Sequence, residues 1–182
     1  MSIEIKAGRY EIDPVHSSIE FSTRFVAARV RGTFGAFSGT VEVADDLAKS
    51  SVTAAIDTAS LHTGTEARDE HLRAADYFDV ADHPEATFAS TSLEADGDRF
   101  TLGGDLTIRG TTLPVALDLY FTGDGVDHYG NFRVGFRATT RVSRSAFGVA
   151  GNVSRPGGPL LMGDATELTL QIQATAPAGE ES

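Results

Sequence analysis

The chain has 182 residues, with 15 Lys or Arg against 26 Asp or Glu, a formal net charge of −11 and no cysteine. That charge works against nucleic acid and anionic membrane surfaces as partners, because both attract basic patches. The missing thiols exclude disulfides, cysteine nucleophiles and Cys-ligated zinc.

This length suits one domain with a sizeable core, and no break in composition argues for two. The expected boundaries are residues 1–176 for the domain and 177–182 for a polar, disordered tail. The first residues, MSIEIKAGRY, carry no basic region and no apolar run of signal-peptide or membrane-span length, so a cytoplasmic protein without membrane insertion is expected.

In chain order, residues 18–27 alternate, with Ile19, Phe21, Thr23 and Phe25 on one face, the period of a strand with one buried side. Val30, Gly32 and Phe34 keep one phase, whereas Phe37, Gly39, Val41 and Val43 keep the opposite one. An extra residue near Gly35 or Ala36, a bulge, reconciles the two. Val52, Ala54 and Ile56 mark a third strand.

The stretch 60–88 then changes character. Thr63 and Glu66 have capping-box spacing, which predicts a helix from near Thr65 to about Ala74 supported by an Asp69–Arg73 pair. Such a helix is marginal alone in water, so Tyr77 and Phe78 must dock it onto the rest of the chain as a plug or lid.

Strands resume with Ala86, Phe88 and Ser90, turn at ADGD (95–98), and continue with Phe100, Leu102, Gly104, Leu106 and Ile108 inward. After a turn at Gly110–Thr112 come Val115, Leu117, Leu119 and Phe121, with a further turn expected at GDG (123–125). Phe132 to Val142 give the seventh strand, and a glycine- and proline-rich loop (148–163) leads to the eighth through Leu168, Leu170, Ile172 and Ala174. Eight one-sided strands predict a mainly β fold, an antiparallel barrel with a short helical insertion between the third and fourth strands; a two-sheet sandwich is the alternative. Small inward residues such as Gly32, Gly39, Ala54, Gly104 and Ala138 would underfill such a barrel and leave an apolar cavity, unless they mark the bulges and corners of a packed core.

Five blocks in order, YEIDPVHSSIEF, VRGTFGAFSG, SLHTGTEARDEHLRAADYFD with HPEATF, GDLTIRGTTLPV and RSAFGV, resemble the YceI-like family of lipid- or polyisoprenoid-binding proteins, from Tyr10 to about Ala174. The resemblance implies a lipocalin-like barrel with a long apolar tunnel for a polyisoprenoid, an isoprenoid quinone or a fatty-acid-like chain. It also raises the expectation of a homodimer. Many members carry a His-Leu pair where Phe25-Val26 stands here, so no head-group role of that histidine transfers.

The ligand-lining residues expected on this basis are Phe21, Phe25, Phe34, Phe88, Leu106, Ile108 and Phe136, with Phe78 and Phe147 nearer the mouth. Arg68 and Arg144, which match the family's Arg-Asp and Arg-Ser blocks, could clamp a head group or could be architectural ties. The Asp13-Pro14 turn closed by Ser17 reads as structural. His62, Asp69, His71, Asp79 and His83 crowd one region, but their spacing fits no zinc motif, and neither a nucleophile elbow nor a phosphate loop is present. The expected function is therefore a binding or carrier protein for an apolar small molecule, neither an enzyme nor a metalloprotein, with no cofactor beyond the bound isoprenoid or quinone. The alternatives are an enzyme using Asp69 or His71 on such a molecule, and a packed barrel acting as an interaction or dimer module.

Overall fold

The computed structural model describes residues 5–151 and 161–176; the tail 177–182 and most of the loop 148–163 lie outside the described residues. The alternating runs form strands β1 (Gly8–Ile12), β2 (Ser18–Phe25), β3 (Ala28–Phe34), β4 (Phe37–Val43), β5 (Ser51–Asp57), β6 (Leu61–His62), β7 (Glu85–Asp96), β8 (Arg99–Ile108), β9 (Thr111–Val126), β10 (Phe132–Ser143) and β11 (Met162–Ala176). The one α-helix among the described residues, α1, spans Glu66–Arg73 between β6 and β7. Every pairing is antiparallel.

Pairing runs β1, β4, β5, β7, β8, β9, β10, β11 and returns to β1, so the sheet closes on itself. The remaining strands prolong three of these staves: β2 follows β1 along β11, β3 precedes β4, and β6 follows β5. Eleven strands thus make an eight-stave barrel, which buries the apolar face of the sheet and removes its edges. The alternation in the sequence does not mark β1, because in GRYEI only Tyr10 is fully buried.

Serine hydroxyls repair three of the ladder's irregularities. Between β1 and β2, Ser17 Oγ accepts from Gln173 N at 2.9 Å and donates to Gln173 O at 3.2 Å, taking the place of a backbone pair on β11. At the predicted kink between β3 and β4, Ser60 Oγ accepts from Ala36 N at 3.0 Å. Where the β7–β8 register shifts between Ser90 and Ser92, Ser90 Oγ accepts from Val52 N at 2.8 Å. The ladder bends while its donors stay paired, which a buried backbone requires.

Two local expectations are corrected. The glycines of GDG do not turn the chain: β9 runs on to Val126, the register slips between Gly135 and Phe136, and the turn comes at Asp127–Asn131, where Asp127 accepts from the backbone of Tyr129 and Asn131. The capping box does not form either, since Thr65 caps α1 without a side-chain bond and the Thr63 hydroxyl donates to Asp69 instead. Arg73 lies 3.7 Å from Glu66 and gives its other donors to Ala59 O and Leu61 O, so it forms no i, i+4 pair with Asp69.

The small inward residues are not all empty space. The Phe21 ring covers Gly32, the Phe88 ring covers Gly104, and Ile12 Cδ1 comes within 2.7 Å of where a Cβ on Gly39 would stand. Each ring needs the absence of a side chain beneath it, which explains these glycines within strands. Gly32→Ala should therefore push Phe21 off Phe34, its neighbour at a 5.4 Å centroid separation, and destabilise the protein by about 1–3 kcal/mol in urea unfolding. An unchanged midpoint would contradict this packing.

Candidate functional site

The interior divides into two unlike halves. At the end carrying α1, Phe21, Phe34, Leu61, Leu72, Tyr77 and Phe147 form one buried cluster, with Phe78 set edge-on to Phe34 at 5.7 Å. Tyr77 and Phe147 are each 2% exposed, so this end is filled with side chains. Tyr77 and Phe78 do dock the helix, as their position after it predicts.

Toward the opposite end the barrel is hollow. A cavity of about 160 Å³ lies between the inward residues of β4, β5, β7, β8, β9, β10 and β11, and its lining is apolar apart from Ser50, Ser51 and Thr140. The Thr140 hydroxyl is spent on Ala116 O at 2.8 Å, and Ser50 Oγ accepts from Ala44 N at 3.0 Å. What remains is a surface that offers dispersion and little hydrogen bonding, suited to a hydrocarbon. Ile19, Phe37, Ile56 and Leu106 both line the cavity and pack on the cluster under α1, which makes them its floor. Half-buried Ile5, Leu47 and Leu93 line its far end.

Of the residues expected to line a ligand, Phe88, Leu106 and Phe136 face this cavity. Phe21, Phe34 and Phe147 are in the buried cluster under α1, and Phe78 and Ile108 pack against it, so the end where Phe78 and Phe147 would have marked a mouth is closed. Phe25 is 40% exposed at the tip of the β2–β3 hairpin and does not line the cavity. Val41, Leu47, Phe100, Leu102 and Leu117 line the cavity and were not singled out. Val41, Phe100, Leu102 and Leu117 already carried the signal in their inward phase; Leu47, in a 3₁₀ turn outside any strand, carried none.

Both arginines are ties. Arg144 donates to the carbonyls of Gly163, Val149, Ala150 and Met162, and Arg68 donates to Thr63 through its hydroxyl and its carbonyl, both at 2.7 Å. Arg109, held at φ 49° in the β8–β9 turn, adds bonds to Tyr77 O and Gly148 O. Charge-assisted donors thus satisfy the carbonyls of the irregular chain around α1. Asp69 is fully buried; burial raises its pKa, but the bonds from Thr63, with His62 and Arg73 nearby, outweigh that and hold the carboxyl below its ordinary value. Its Oδ2 stands 3.2 Å from His62 Nδ1, and His71 pairs with Asp76 at 2.8 Å. Neither Asp69 nor His71 lines the cavity. Among the described residues no group of three or more His, Cys, Asp or Glu side chains is arranged to hold a metal ion, and no helix is long and apolar enough to cross a membrane.

A closed eight-stave antiparallel barrel with an apolar hollow belongs to the class of barrels sized to hold one small ligand. The sequence matches the YceI-like domain over residues 10–174, and the chain belongs to that family. Protein YceI of Escherichia coli O157:H7 is 37% identical over 147 residues, covering 79% of this chain and 77% of that protein. The crystal structure of Burkholderia cenocepacia BcnA superposes with a TM-score of 0.78 at 23% identity, covering 89% of this chain and 98% of that one. A domain from Saccharophagus degradans described as polyisoprenoid-binding superposes with a TM-score of 0.67 at 15% identity, over 92% of this chain and 98% of that one. At these identities the two structures speak for the fold.

On the outer wall Arg133 donates to Asp13 and Asp127, each at 2.7 Å. The Arg133 guanidinium is the main reason the Asp13 carboxyl is held at about 2, below its ordinary 3.8, with His16 and the Val15 amide adding to the effect. Because the folded value is the lower one, this carboxylate stabilises the fold fully above the ordinary value and loses that contribution as pH falls toward 2. Asp13→Asn should therefore lower the urea midpoint at pH 7, with the gap to wild type narrowing between about pH 5 and pH 2. A gap independent of pH would show that the charge is not what matters.

Proposed function

We propose that this protein is a binding or carrier protein for a long apolar molecule, a polyisoprenoid, an isoprenoid quinone or a fatty-acid-like chain, whose tail occupies the barrel cavity. The observation that carries the reading is the cavity itself: about 160 Å³ enclosed by aliphatic and phenyl side chains, with its few hydroxyl groups at the rim or already bonded. The description of the Saccharophagus degradans neighbour as a polyisoprenoid-binding domain supports the same class of ligand. A role in binding is also favoured over catalysis by the separation of the titratable pairs around α1 from the hollow.

The energetics suit a carrier. Each methylene removed from water contributes about 0.8 kcal/mol, so a buried stretch of about six carbons, which a cavity of this size holds, contributes on the order of 5 kcal/mol before the ligand's lost freedom is subtracted. Recognition by burial alone is tolerant of chain chemistry, because no donor or acceptor has to be matched.

Protein purified without detergent should, in native mass spectrometry, carry a small-molecule mass that solvent extraction releases as a long-chain lipid or quinone. Apo protein should take up geranylgeraniol, whereas Ala138→Phe, which places a ring in the hollow, should weaken uptake at least tenfold while keeping the β-sheet circular dichroism. A clean apo mass together with no uptake by wild type would sink the proposal.

A further inference from the structure

The ring of pairs that closes the barrel leaves one strand partly uncovered at the α1 end. β3 is held on one side by β2 along its whole length, but on its other side β6 meets only Thr33 and Phe34. Beyond His62 the chain departs from β3. Gly64 turns it at φ 87°, and Thr63 is fastened to α1, its N–H donating to Asp69 Oδ1 at 2.9 Å and its carbonyl accepting from Arg68 at 2.7 Å. Parity along the strand shows which backbone groups this exposes. Gly35 N donates to Ser60 O at 3.2 Å, so the N–H and C=O groups of Thr33, Arg31 and Arg29 point to the same side. Thr33 meets His62 there, whereas among the described residues no strand pairs with the exposed Arg29 and Arg31 on that side.

Such an edge is a template for an added strand, and neither a bulge nor a proline blunts it: the β2–β3 register runs without a shift, and β3 reads ARVRGTF. Its charge selects what can pair. β2 and β3 together carry Arg24, Arg29 and Arg31 against Glu20 alone, a basic ribbon on a chain of net charge −11. Arg29 leans across β2 to Ser22 and Glu167, but Arg31 has no carboxylate within ion-pair distance among the described residues. A second copy of this chain is a poor occupant, because antiparallel self-pairing sets the arginines of one copy opposite those of the other. We propose that residues 28–32 of β3 dock an extended acidic segment of another protein as an added antiparallel strand. Carboxylates then stand opposite Arg31 and Arg29, with an apolar residue opposite half-buried Val30. Backbone bonds to Arg29 and Arg31 hold the strand, and the acid, apolar, acid alternation selects it. No residue of β3 lines the cavity, so a docked strand leaves the hollow free.

The test is amide NMR of the full chain with two capped peptides, Thr-Glu-Val-Glu-Val-Thr and Thr-Lys-Val-Lys-Val-Thr. In the free protein the Arg29 and Arg31 amides should exchange with solvent at least about tenfold faster than those of Val30 and Gly32, which point to β2. The acidic peptide should slow the two arginine amides by about tenfold or more and shift signals of β3 and its neighbours, and the lysine peptide should do neither. Arg31→Glu should reverse the preference, weakening the acidic peptide by at least about tenfold and admitting the lysine one. The comparison of the two peptides on wild-type protein stands without that variant. Arg29 and Arg31 amides that are protected in the free protein at every concentration would mean that the edge is already covered, and protection that grows with concentration would assign it to a second copy. Either result would overturn the proposal, as would no binding of the acidic peptide at about 1 mM or equal binding of both peptides.

Discussion

β11 has two partners on one edge. Leu170 stands opposite Ile19 of β2, and two turns of pleat further on Ala174 stands opposite Ile12 of β1, while the other edge pairs with β10 along twelve positions. That shared edge closes the sheet into a tube. Without it, the inward faces of eight staves, with Val134 and Ala174 at 0% exposure, would have no partner, since the single helix is too small to cover them. Closure therefore decides the rest: which side chains become interior, how much room they leave, and from which end that room can be reached.

Given a closed tube, its filling is set by a few aromatic rings. The ring tips of Phe21 and Phe88 occupy the space above Gly32 and Gly104 that those glycines would otherwise leave. Under α1 the rings of Phe34, Phe78, Tyr77 and Phe147 meet in one cluster, and Arg68, Arg73, Arg109 and Arg144 bond the carbonyls of the loops that hold those rings in place. The opposite half has aliphatic and phenyl side chains on its walls and encloses the cavity. The same barrel is thus a solid stopper at one end and a container at the other.

The strands, their inward faces and the helix with its aromatic anchors were legible because each is a local pattern: period two, a kink at Gly35-Ala36, a run of helix formers ended by Tyr77-Phe78. The misses share a cause. In GRYEI the burial of Tyr10 comes from pairing with β4, distant in sequence, and nothing in five residues announces it. At GDG the same glycines that open turns instead accommodate a register slip, because the partner strand β10 continues past them. Thr63 has the spacing of a cap, but its hydroxyl, which a cap would use to accept from a backbone N–H, instead donates to the buried carboxylate of Asp69. For the site, inward phase identified Phe21 and Phe88 equally well as interior residues. Which of them faces the hollow depends on position along the barrel axis, a consequence of register between strands that a linear pattern does not carry.

The central claim is that the barrel encloses an apolar cavity on the side away from α1 and is filled with side chains beneath it. Xenon tests this directly, since it enters apolar voids and leaves packed interiors alone. A crystal of protein first stripped of lipid by solvent extraction and then pressurised with xenon should show density between Val41, Phe88 and Leu117, and none among Phe34, Tyr77 and Phe147. Xenon beneath α1, or an interior without xenon, would contradict the account.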